Sequence, residues 1–265
     1  MYRIGWFSTG RDKAARDLLK TAYRSIKKGE IKADIIFVFS NREQGEARES
    51  DAFFKLVRRC RIPLICQSSN KFKQRFEKGW RNRFEEEAMR RLEGFHPDLC
   101  LLAGYMLIVG AEMCRRYPMI NLHPAAPGGP KGTWQQVIWK LIAEGAGETG
   151  VMMHLVTPEL DAGPPVAYCT FSLRGRPFDR YWRKIEGLSI DEVKARQGER
   201  NLFFRQIRKH GLAREFPLII ATLIAFSEGR LRIEGGRVVD NMEKLITGYD
   251  LSEEITAKVR RKLFK

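Results

Sequence analysis

Acidic residues are in short supply: 32 Asp and Glu stand against 48 Lys and Arg in a chain of 265 residues, leaving a formal charge of +16. A surplus of that size attracts anions, whether phosphorylated metabolites, nucleic acid or acidic lipid, without choosing among them. Long apolar runs are missing as well. No stretch approaches the eighteen or so apolar residues of a membrane-spanning helix, and Met1-Tyr2-Arg3-Ile4 leads straight into an apolar segment with no basic-then-apolar leader. The five cysteines, at positions 60, 66, 100, 114 and 169, show no C-x-x-C spacing, and their odd number argues against a disulfide framework. Cys and His positions give no zinc spacing, so no metal is expected. Together these absences point to a soluble protein of a reducing cytoplasm. What is present is a hydrophobic fraction of 43%, enough for a sizeable core.

The pattern of that fraction alternates between strand and helix. Residues 4–7 and 34–39 are near-continuous apolar runs of strand length, as parallel strands covered on both faces should be. Between them Leu18, Leu19, Ala22 and Ile26 recur at helical spacing. A helix at 50–60, a strand at 62–66, one long amphipathic helix carrying Phe72, Phe76, Met89 and Leu92, and a strand at 99–103 follow. Such alternation implies right-handed crossovers and a doubly wound, mostly parallel α/β sheet. Further on, Trp134, Val137, Ile138, Leu141 and Ile142 form a helical stripe ended by Gly145, and strands are expected at 150–156 and 165–171. A closing helix within 201–226, entered anew at Pro217, and a hairpin around Gly235-Gly236 form a C-terminal extension. The expected division is a main domain over 1–240 and a helical tail over 241–265.

One polar constellation stands out. Met119-Ile120-Asn121-Leu122-His123-Pro124 reads as the end of a buried strand, and Asn121 and His123, two apart, point the same way if the extension continues. Pro124 and the following Pro127-Gly128-Gly129-Pro130 open the strand into a loop, where open α/β sheets place ligands. Asp161 adds a carboxylate within Leu160-Asp161-Ala162-Gly163-Pro164-Pro165. A carboxamide donor, an imidazole that titrates near neutrality and a carboxylate suit acyl transfer to an amine, which needs an oxyanion donor and a proton carrier. His154 is read as a satisfied core histidine, and His96 and His210 as structural.

The Asn-x-His-Pro sequence, followed by Val156-Thr157-Pro158-Glu159-Leu160-Asp161-Ala162-Gly163-Pro164, resembles the folate-dependent formyltransferase family. Leu101-Leu102-Ala103-Gly104-Tyr105-Met106 and Phe226-Ser227-Glu228-Gly229-Arg230-Leu231 are similar to further stretches of that family, in the same order. The resemblance implies a Rossmann-like fold and a formyl donor, 10-formyltetrahydrofolate. It assigns catalysis to Asn121, His123 and Asp161, and folate binding to Leu102, Gly104, Tyr105, Met106, Leu107, Ile108, Val156, Leu160 and Asp161. It further implies a small phosphorylated amine as acceptor, in the branch most similar glycinamide ribonucleotide of purine synthesis, or else another amine such as a nucleotide-linked amino sugar. A monomer or homodimer is expected.

The acceptor side departs from the family. There the loop after the first strand is Gly-rich and holds the substrate phosphate; here it is Ser8-Thr9-Gly10-Arg11-Asp12, with one glycine. Ser8, Thr9, Gly10, Arg11 and Pro124 are assigned to the acceptor, with the Arg11 guanidinium replacing backbone donors, while Asp12 either opposes a phosphate or simply caps the helix. Leu107 stands where the family has an Arg. The stretch 172–214 is the least family-like: twelve Lys or Arg against five Asp or Glu, interleaved with Phe178, Tyr181, Trp182, Phe203 and Phe204. Such interleaving can bind nucleic acid, but a helix packed by its aromatics and solvated by its charges fits better, so a non-catalytic nucleic-acid-binding role is the lesser reading.

Overall fold

Apolar runs alternating with amphipathic segments produce, in chain order, β1 (Tyr2–Phe7), α1 (Lys13–Lys27), β2 (Ala33–Ser40), α2 (Arg48–Arg59), β3 (Leu64–Cys66), α3 (Ser69–Arg75), α4 (Trp80–Arg91), β4 (Leu99–Leu102), α5 (Ala111–Arg116) and β5 (Met119–His123). They continue as α6 (Trp134–Ala143), β6 (Glu148–Leu155), β7 (Pro165–Ser172), α7 (Asp179–Ile185), α8 (Ile190–Gln197), α9 (Leu202–Ser227), β8 (Leu231–Glu234), β9 (Arg237–Asp240), β10 (Tyr249–Asp250) and α10 (Ser252–Leu263). The computed structural model describes residues 1–263. Among them eight strands belong to the main sheet, and β8 and β9 form a separate hairpin. Every described pairing in the main sheet is parallel except that of β6 with β7.

The chain divides into two compact units. The first comprises Met1–Asn121, Leu155–Pro164 and Leu223–Leu245. In it β1 pairs with β2 on one side and β4 on the other, β2 with β3, and β4 with β5. The chain therefore winds outward from β1 to β3, crosses back, and winds the other way through β4. The switch falls between β1 and β4, whose carboxyl ends are where such sheets bind ligands. Beneath them Phe7, Phe37, Phe39, Phe84, Leu102 and Met119 share one core, with Phe7 and Phe37 edge to face at 5.7 Å. Gly5 is obligatory there, because a Cβ would come within 2.6 Å of the Phe37 ring and 2.7 Å of the Cys100 sulfur.

The second unit takes Leu122–His154, Pro165–Thr222 and the chain from Ile246 onward. In it β7 lies antiparallel to β6 and parallel to β10. The aromatics of 172–214 turn inward: Phe178, Tyr181, Phe203 and Phe204 are buried with Val137, Ile138, Leu141 and Phe171. Tyr181 and Phe203 stack at 5.9 Å. The tail expected to be helical also supplies the strand β10, and Leu251, Ile255 and Val259 are buried while Ser252 Oγ accepts from Thr170 N at 2.9 Å.

Two other expectations are corrected. The single long helix through Phe72 and Leu92 is two, α3 and α4: the backbone turns extended at Phe76, and Gly79 takes a left-handed φ of 69° before α4. Conversely α9 runs through Pro217 without re-entry. Its buried residues on either side, Phe204 and Ile207 before and Leu218 and Ile219 after, outweigh one missing donor.

Within α9, His210 is buried against Phe178 and Phe171 at 4.8 and 5.7 Å. Burial first, then the nearby Arg214 and Lys209 charges, pushes its pKa down to about 4 from 6.5. Its neutral form belongs to the fold, so the unfolded chain binds the extra proton between those two values. The contribution is present above pH 6.5 and lost as pH falls toward 4. Thermal melts from pH 7 to 4 should therefore drop less steeply for His210→Gln than for the parent; identical slopes would remove His210 from the acid response.

Candidate active site

At the switch point the first unit ties two loops together. Thr9 N donates to Gly104 O at 3.2 Å, Met106 N donates to Thr9 Oγ1 at 3.0 Å, and Thr9 Oγ1 donates to Asn41 Oδ1 at 2.6 Å. Ser8 and Thr9 are buried, and Ser8 Oγ accepts from Gly10 N at 3.1 Å, so both hydroxyls are engaged in building the loop. Gly10 adopts a φ of 62° with the Phe53 ring where a Cβ would lie. Arg11 is exposed, its Nε 3.5 Å from Asp12. Asp12 caps α1, accepting from Ala15 N at 2.9 Å.

The segment after β4 sorts its residues by side. Leu102 is buried, and Leu107 and Val156 pack against the core. The Tyr105 ring turns inward onto Phe7 and Phe39 at 5.7 and 6.3 Å, and burial pushes its phenol pKa up, so it serves the core rather than proton transfer. Met106, Ile108 and Leu160, in contrast, are exposed at 51%, 42% and 63%. Exposed large apolar side chains of this kind are available to an apolar part of a ligand.

Asn121 is the register partner of Leu102, which puts it beside the root of that segment. The loop carrying Asp161 is anchored to the same strand, since Val156 N donates to Met119 O at 2.8 Å, two residues before Asn121. Leu155 N closes the loop on Pro164 O at 2.9 Å, and Thr157 Oγ1 donates to Glu159 O at 3.0 Å. Asp161, half-buried, has a left-handed φ of 51°, a conformation short polar side chains tolerate. Gly163 has no room for a side chain, because a Cβ would overlap the Leu155 carbonyl oxygen.

In the second unit His123, 2% exposed, lies 2.8 Å through Nε2 from Pro130 O. A carbonyl can only accept, so Nε2 carries a hydrogen. His154 is equally buried and meets the His123 ring edge to face at 6.2 Å. Pro124 begins the loop that the His123–Pro130 bond closes, and Thr133 and Gln136 end it with a capping box on α6. No sequence signal marked Pro130 as the group that sets the histidine's tautomer, because a backbone carbonyl carries no residue identity. Asn41, which bonds Thr9 across 32 positions, was likewise invisible.

The model of the family described as formyl transferase matches residues 11–172, and the chain belongs to that family. It is an enzyme of the folate-dependent formyltransferase class. The chain is similar to phosphoribosylglycinamide formyltransferase of Escherichia coli (strain K12), 25% identical over 239 residues covering 89% of this chain and 94% of the relative. The Haemophilus influenzae protein of the same name is 29% identical over 220 residues, 82% of this chain and 84% of its own. A formyltetrahydrofolate deformylase of Bacillus subtilis is 33% identical over 144 residues, 51% of this chain and 40% of that one. Among solved structures, phosphoribosylglycinamide formyltransferase of Coxiella burnetii superimposes with a TM-score of 0.65 at 23% identity, covering 94% of this chain and 98% of that one. Glycinamide ribonucleotide transformylase 1 of Symbiobacterium toebii gives 0.63 at 22%, covering 90% and 93%. These likenesses share the Rossmann-like fold. No helix of the described residues is long and apolar enough to cross a membrane.

Proposed function

We propose that the chain transfers the formyl group of 10-formyltetrahydrofolate to the primary amine of glycinamide ribonucleotide. The observation that carries this reading is the end of β5: Asn121 and His123 lie two apart, the imidazole has Nε2 fixed as a donor by Pro130 O, and the Asp161 loop hangs from Met119 of the same strand. The folate co-substrate supplies the formyl group and rests on Met106, Ile108 and Leu160, with Leu102, Gly104, Leu107 and Val156 shaping the floor. As the amine adds to the formyl carbon, the Asn121 carboxamide and the His123 imidazole are the donors offered to the formyl oxygen, which takes up negative charge. On the family resemblance, Asp161 orders the water that carries the amine's proton to the departing folate nitrogen.

The test is a spectrophotometric assay of the deformylated folate product, with and without glycinamide ribonucleotide. Product formation that depends on the amine supports the reading. Formation at the same rate without it would make the chain a hydrolase, and formation only with some other amine would move the acceptor.

A further inference from the structure

Phe7 and Phe39 are register partners, so the loop after β1 and the residues after β2 leave the sheet side by side. At such a place a phosphate is ordinarily held by the backbone N–H groups that open the next helix. Here the three loop N–H groups after β1 and the third N–H of α1 are already bonded within the protein. Ser8 N donates to Phe39 O at 2.9 Å, Thr9 N to Gly104 O at 3.2 Å, Gly10 N to Ser8 Oγ at 3.1 Å and Ala15 N to Asp12 Oδ1 at 2.9 Å. The Asp12 carboxylate also places at the helix end the negative charge that an incoming phosphate would bring.

Arg42 is situated differently. Its backbone N donates to Ser40 Oγ at 3.3 Å and its Nη1 to Ser50 Oγ at 3.2 Å, while Ser50 Oγ donates to Thr9 O at 3.0 Å. The guanidinium is therefore two hydrogen bonds from the β1–α1 loop. Four acidic residues follow it closely in sequence, and each is turned elsewhere: Glu43 to Lys71 at 2.6 Å, Glu46 to the Ser68 hydroxyl, Glu49 to Arg16, and Asp51 to Gly45 N at 2.9 Å. Among the described residues no carboxylate lies within ion-pair distance of Arg42. A half-buried guanidinium that is oriented by a serine and unneutralised keeps most of its five-donor fork for a ligand.

We infer that Arg42, and not the N-terminus of α1, receives the anionic group of the acceptor. Arg11 adds a second positive charge at the exposed edge, and Asp12 remains the helix's own cap. The inference names the specificity of the acceptor site and rests on the reading that the acceptor is anionic.

Two measurements separate it from that reading. Calorimetric binding of ribose 5-phosphate reports the anion site without turnover, and steady-state kinetics with glycinamide ribonucleotide report the reaction. Arg42→Ala should weaken ribose 5-phosphate and raise the acceptor KM by about tenfold or more, with kcat and the folate KM within about twofold. Arg42→Lys should lose only about threefold, since it keeps the charge without the fork. Asp12→Ser, which retains a cap while removing a negative charge, should tighten ribose 5-phosphate several-fold. Ribose 5-phosphate that binds Arg42→Ala as tightly as the parent, or that fails to bind the parent at millimolar concentration, overturns the inference, and so does weaker binding by Asp12→Ser. Arg42-dependent binding in a protein that does not turn over glycinamide ribonucleotide would sustain the inference and sink the proposed reaction. Normal turnover with an unchanged KM in Arg42→Ala would do the reverse.

Discussion

Loss of the His123 imidazole is expected to lower kcat by about a hundredfold or more while the folate KM stays within about threefold, the signature of an interaction made in the transition state rather than in the ground state. The substitution needs care, because His123 is 2% exposed and its Nε2 is the partner of Pro130 O. Alanine there leaves a buried carbonyl unpaired, at a cost of about 1–3 kcal/mol. His123→Asn keeps a polar group at the position and separates chemistry from folding. Asn121→Ala should show a similar loss in kcat. Asp161 is better tested as Asn than as Ala, since its φ of 51° suits Asn and strains most other side chains. Near-parental turnover by a folded His123→Asn protein, with a parental melting curve, would remove the imidazole from the mechanism.

How much of this was legible beforehand depends on what kind of interaction carried each feature. The alternation of apolar runs and helical stripes specified β1, β2, β4 and the helices between them, because burial on both faces of a parallel strand leaves a periodic record in residue type. The motif Asn121-Leu122-His123-Pro124 was likewise written in side chains. The break between α3 and α4 was missed because the apolar spacing continues across it, while the backbone turns extended at Phe76 and left-handed at Gly79. The unbroken α9 was missed for the opposite reason: Pro217 is a strong local signal, and burial on both sides overrules it. Tyr105 shows a further limit. Its place in the motif suggested a ligand contact, whereas its ring packs on Phe7 and Phe39, a choice of face that neither spacing nor composition encodes in a loop. The acceptor loop was half legible. One glycine in Ser8-Thr9-Gly10-Arg11-Asp12 signalled a change in how an anion could be held, and the Asp12 cap on Ala15 was open to reading, but the bond from Thr9 N to the distant Gly104 carbonyl was not.

Gly163→Ala is expected to be as damaging as loss of the histidine, by a different route. Gly163 does not have the left-handed φ that usually explains an obligatory glycine; what forbids a side chain is the Leu155 carbonyl oxygen, which a Cβ would overlap. Leu155 and Pro164 are the two ends of the loop, joined by the Leu155 N to Pro164 O bond of 2.9 Å. Backbone cannot swing aside as a long side chain can, so the methyl must spread those ends, and the closing bond is the first thing lost. Asp161 and Leu160 sit at the tip of that loop and move with it. The expected outcome is therefore combined: a weaker folate KM through Leu160, a fall in kcat through Asp161, and a fall in kcat/KM of about a hundredfold or more. Stability should drop by about 1–3 kcal/mol, as for other strained backbone substitutions. Gly104→Ala supplies the contrast, since Gly104 has a φ of 70° with open space around its Cβ position. It should cost only the left-handed penalty of about 1–2 kcal/mol and leave kcat nearly intact. Steady-state kinetics and thermal melts of the two variants decide the matter: equal, mild effects would mean that the Asp161 loop opens readily, and that its closure on Leu155 does not hold the carboxylate in place for formyl transfer.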